Sequence, residues 1–125
     1  MKKSLLIFGA AGWAVATAGL RLGGQYVLRP GGAGAKLRLY AVSFLLMAWP
    51  VRRLCRAAGL PQEQWVAGAL AVMLPTLVLD PFSSAFFPVV FPNMAPEMAG
   101  VFGGWMLVCC AGAFVGAAIP SSRTA

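Results

Sequence analysis

The chain has 125 residues, 60% of them hydrophobic and 10% charged, with a mean hydropathy of +0.80, too apolar for a water-soluble domain to bury its own surface. At about 20 residues per helical crossing, this length admits at most about five membrane spans and no second, soluble domain. The absence of His removes imidazole haem ligation, the usual zinc sites and the commonest general acid or base, while the net charge of +7 sits in short clusters beside apolar runs. That clustering fits membrane-flanking charge and anionic headgroups and argues against nucleic acid as a partner.

Taken in chain order, the first apolar run covers Ser4 to Leu20 and predicts a helix over 4–28 that passes Arg21 and Gln25. An alternative is a secretory signal, with Lys2 and Lys3 as its basic start, Ser4 to Val15 as its apolar stretch and Ala16-Thr17-Ala18 as a cleavage site. The continuation of the run through Leu20 favours a span. Arg29-Pro30-Gly31-Gly32-Ala33-Gly34 is a breaker.

The second helix is expected over 35–57. Leu39 to Val51 is too short to cross alone, but it reaches spanning length if Lys36, Arg38, Arg52 and Arg53 snorkel outward, which puts Tyr40 and Trp49 near opposite interfaces. A third helix is predicted over 62–80, with Pro75 kinking it and freeing the Ala71 carbonyl, and with Asp80-Pro81 closing it. From Pro81 to Ala95, prolines alternate with phenylalanines in a segment too broken to cross; it is expected in the interface or as a re-entrant segment against protein. Pro96-Glu97 then starts a fourth helix over 97–119, which Pro120-Ser121-Ser122 stops.

The expected fold is therefore an all-α integral membrane protein of one domain, residues 1–125, a four-helix up-down transmembrane bundle with a Pro/Phe-rich interfacial segment between its third and fourth helices. With the N-terminus inside, Lys2, Lys3, Arg52, Arg53, Arg56 and Arg123 are cytoplasmic and Arg21, Arg29, Lys36 and Arg38 are outside. This small excess favours both termini in the cytoplasm of a bacterial inner membrane, with insertion in both orientations, and hence an antiparallel dimer, as the alternative.

Arg21, Gln25, Asp80 and Glu97 all fall at the extracytoplasmic end in this arrangement. Arg21 and Gln25 share a helix face, so pairing of Arg21 with Asp80 or Glu97 is one reading and snorkelling to headgroups the other. No carboxylate is expected at the centre of a span. Small residues repeat at Gly12 and Ala16, at Gly19 and Gly23, and at Gly100, Gly104, Gly112 and Gly116, ridges that suit close helix packing within the chain or between copies. Cys55, Cys109 and Cys110 form neither a disulfide framework nor a metal site, and the methionines have no copper-binding partners, so no cofactor is expected.

Two known classes of similar size fail at their key residues. Small multidrug-resistance exporters need an acidic residue within the first helix, and Ser4 to Leu20 has none; fluoride channels carry a polar Phe-Thr-Thr-Phe-Ser track that the third segment lacks. Through its Lys-Lys start and its Arg21-Leu22-Gly23-Gly24-Gln25 segment, the chain resembles uncharacterised bacterial families of small four-span inner-membrane proteins, a resemblance that implies no activity. The function expected from the residues is non-enzymatic: an accessory or assembly subunit, or a homo-oligomer, acting through helix contacts with a second copy or a larger membrane protein. The alternative is a minimal transporter or channel for a small anionic or lipid-like substrate, with Arg21 and Gln25 lining its cavity.

Overall fold

The computed structural model describes residues 3–28 and 32–120, and all regular structure among them is helical. The long helices are α1 (Lys3–Gly23), α2 (Ala33–Ala57), α3 (Trp65–Ala85) and α5 (Ala99–Ala118), with the short α4 (Phe87–Val90) between the last two. Single 3-10 turns occupy Gly24–Tyr26, Gln62–Gln64 and Pro96–Met98. Lys2, Arg29-Pro30-Gly31, Ser121-Ser122 and Arg123, all used in the sequence reading, lie outside the described residues.

Two helix ends differ from expectation for physical reasons. The first helix stops at Gly23 instead of 28, because consecutive glycines hold helical backbone poorly. The chain tightens there, the N–H groups of Val27 and Leu28 both return to the Gly24 carbonyl, and Leu28 is buried. The third helix, by contrast, runs past Asp80 and through both Pro75 and Pro81 to Ala85. A proline inside a helix forfeits one backbone hydrogen bond, whereas ending the helix in apolar surroundings strands the carbonyls of its last turn. Continuing is the smaller loss.

Three segments, Lys3–Tyr26, Gln62–Ala85 and Pro96–Ala118, are long and apolar enough to cross a membrane. α2 is longer than any of the other helices but is not among them, because Lys36 and Arg38 near its start and Arg52, Arg53 and Arg56 near its end lower its hydropathy.

The helices associate in two parallel pairs. In α2 and α5, Gly112 lies against the Phe44 backbone and Gly116 against the Ala48 backbone, both too close to admit a Cβ, while Gly104 sits beneath the Tyr40 hydroxyl. Polar ties run along the same seam: the Tyr40 hydroxyl donates to the Val101 carbonyl (2.8 Å) and Trp105 Nε1 donates to Ser43 Oγ (2.7 Å). Arg52 closes the seam by donating to the carbonyls of Gly116 (2.6 Å) and Ile119 (2.7 Å), which satisfies carbonyls that the end of α5 leaves open. In α1 and α3, Leu5 meets Gly68 and Gly9 lies directly on the Val72 backbone.

The pairs join through α3 and α5, which run in opposite directions: Ser84 stands beside Gly103 at one end, and at the other Arg52 spans from the last turn of α5 to the Trp65 ring, 5.1 Å from its centroid. The consecutive helices α1 and α2 barely touch. Phe87, Phe91 and Phe102 form a fully buried aromatic cluster with centroids 5.1 to 5.7 Å apart, so the Pro/Phe segment folds back against α5; only Phe82 and Phe86 of its phenylalanines point outward.

Candidate functional site

The side of α1 nearest α5 carries Gly12, Ala16, Gly19 and Gly23. The first and third of these have nothing within reach of a notional Cβ, and Gly23 meets only Tyr26 of its own chain turn. Of the two roles expected for this ridge, packing within the chain or between copies, the first is not met: no other helix of this chain covers it. With no side chains there, a cavity of about 620 Å³ remains between α1, α3 and α5. Trp13, Phe102 and Trp105 contribute aromatic walls, and Met47, Met73 and Met106 contribute thioethers. The volume is within the range of small-molecule sites, about 300 to 1,000 Å³.

Among the described residues, Asp80 is the one charged residue on this wall. It is only 6% exposed, its Oδ1 accepts a hydrogen bond from Trp13 Nε1 (2.8 Å), and its Oδ2 is buried without a partner among the described residues. Within its own helix Asp80 stands toward the C-terminal end, but its side chain reaches along α1. α1 and α3 run parallel with Gly9 at the level of Val72, which places Asp80 about level with Thr17. Helical side chains lean toward the N-terminus, so the carboxylate comes down to Trp13, midway along α1. A smaller space of about 170 Å³ lies between α3 and α5, and Thr76, Asp80, Met106 and Cys110 border both spaces.

The other members of the expected polar cluster lie elsewhere. Arg21 is exposed, Glu97 is exposed in the turn before α5, and no ion pair joins Arg21 to either carboxylate among the described residues. Gln25 is engaged by Asn93, whose Nδ2 donates to Gln25 Oε1 (2.5 Å) and to the Leu20 carbonyl (2.9 Å), tying the end of α1 to the Phe-rich segment. Of the remaining small residues, Gly104, Gly112 and Gly116 are packed against α2 and Gly100 faces open space.

Trp13 and Asn93 did not stand out in the sequence. A usable signal existed for Trp13: an indole in the middle of an apolar run, away from the interface its ring prefers, needs a polar partner for its N–H. Cys109 and Cys110 line the cavity as well.

The fold and cavity define an all-helical chain with three helices apolar and long enough for a membrane, gathered about one buried carboxylate. Residues 27–124 match the DUF5367 family, a family of unknown function, and the chain belongs to it. α1, with Trp13, precedes the matched stretch. No curated protein and no solved structure matches the chain.

Proposed function

We propose that this chain is a small polytopic membrane protein that takes up an amphipathic organic cation in the α1/α3/α5 cavity, with Asp80 as its counter-charge. The observation that carries this reading is the buried, unpartnered Asp80 Oδ2 on an otherwise apolar, aromatic wall. An ionisable group within a membrane segment is costly and is retained where it has a task. Indole and phenyl faces attract a cation, the carboxylate neutralises it, and the methionines adapt to an apolar body.

This reading replaces the expected anionic substrate, because Arg21 is exposed and absent from the cavity wall. In this reading α2 is a fourth crossing whose terminal cations snorkel, and both termini face the cytoplasm of a bacterial inner membrane. A second reading, association with a homo-oligomeric or larger membrane partner, is favoured by α1, of whose spanning window only 11% is buried.

The two readings separate in a labelling experiment on the purified protein in mild detergent. Tetraphenylphosphonium should slow alkylation of Cys109 and Cys110, which line the cavity, and leave the rate at fully buried Cys55 unchanged. Unchanged rates at all three cysteines would remove the cation reading and leave helix association.

A further inference from the structure

A second groove adjoins the first cavity, with Phe8, Met47, Val72 and Met73 bordering both. About 710 Å³ in volume, it opens between α1 and α2 and is floored by Val72 and Met73 of α3. Its deep part is apolar, from Phe8 and Met47, whereas its outer end carries Arg53 and Arg56. Arg53 is exposed and has no hydrogen-bond or ion-pair partner among the described residues; Arg56 makes only a ring contact, 5.6 Å from the Trp65 centroid. Trp49 lines the same groove and is 65% exposed, the placement of an indole at a bilayer interface.

The charge at this end is one-sided. The parallel pairs bring the start of α1, with Lys3, to the same end as Arg52, Arg53 and Arg56, and Glu63 is the single carboxylate of the turn that joins α2 to α3. From Arg53 to Met47 is six helical residues, about 9 Å along the axis, enough for several methylenes below a headgroup.

We propose that this groove holds an anionic phospholipid of the bilayer, with its phosphate on Arg53 and Arg56 and one acyl chain lying along α2 down to Phe8 and Met47. The charge complementarity selects the headgroup: two unpaired guanidinium groups at a membrane interface recognise a phosphate bidentately, and a net negative headgroup adds attraction that a zwitterionic one lacks. The apolar depth selects a lipid over free phosphate. The proposal does not depend on Asp80 or on the cation reading.

Native mass spectrometry of the protein released from micelles containing equal phosphatidylglycerol and phosphatidylcholine tests it. Two cations, each contributing about fivefold near a charged surface, predict retention of phosphatidylglycerol favoured by about twenty-five-fold. Arg53→Ala/Arg56→Ala should bring the preference close to one, whereas Arg21→Ala/Arg38→Ala, at the opposite end, should keep it. Ala57→Trp, which fills the groove and leaves both arginines, should also lose the retained lipid. Equal retention of the two lipids by the unaltered protein, an unchanged preference in Arg53→Ala/Arg56→Ala, or full retention in Ala57→Trp would each overturn the proposal. Competition by inorganic phosphate alone, without loss in Ala57→Trp, would assign the arginines to a free anion and refute the lipid.

Discussion

Gly112, Gly116 and Gly9 each lie against the backbone of a neighbouring helix, and a backbone cannot swing aside as a side-chain end can. Gly116→Ala should therefore destabilise the folded protein by about 1 to 3 kcal/mol, the usual cost of overpacking. Gly12→Ala, in open space, should be neutral or stabilising by up to about 1 kcal/mol, since alanine is the better helix former. Denaturant unfolding in mixed micelles distinguishes the two, and equal effects would contradict the different surroundings described for these glycines. Trp13→Phe removes the donor to Asp80 and leaves both carboxylate oxygens without a protein partner, a loss of about 1 to 3 kcal/mol by the same measurement. The repeat of small residues was legible in the sequence, but its division into a packed ridge on α5 and a bare cavity wall on α1 was not. Spacing fixes which residues share a face; it does not fix whether another helix covers that face.

At the scale of elements, apolar length and breakers located the four long helices, because the 20-residue requirement and the Pro/Gly runs act locally. The errors fell where local signals compete with the apolar medium. Pro81 looked like a stop, yet α3 passes it to keep its carbonyls satisfied; for the Pro/Phe segment two placements were open, in the interface or against protein, and Phe87 and Phe91 pack against protein at Phe102. α1 is held chiefly by one neighbour, α3, while α5 is gripped by both α2 and α3. Amide hydrogens of α1 around Ala14 to Ala18 should accordingly exchange faster than those of α5 around Gly112 to Gly116; comparable protection in the isolated protein would show that α1 is covered by more than this chain's own helices. If α2 is a crossing, cysteines placed at Gly32 and Gly59 should react with an impermeant reagent from opposite sides of sealed vesicles. Reaction from one side would place α2 along the membrane surface.

For the whole molecule, the decisive arrangement is the parallel pairing of α1 with α3, which lowers the Asp80 carboxylate to the middle of α1 and leaves the glycine-bearing face of α1 open beside it. Net charge and span count could not reveal this, because they place Asp80 by its position in the chain and not by the direction its side chain takes. Gly12→Leu should occupy part of the cavity and weaken cation binding without the backbone clash expected of Gly116→Ala. The most direct test of the central claim is equilibrium binding of tetraphenylphosphonium to the purified protein and to its Asp80→Asn variant, in which the side-chain carbonyl can still accept from Trp13. Saturable binding that weakens by roughly tenfold or more in Asp80→Asn, equivalent to about 1.4 kcal/mol or more of lost charge pairing, is the result the account predicts; equal affinity in the two proteins, or no saturable binding in either, would contradict it.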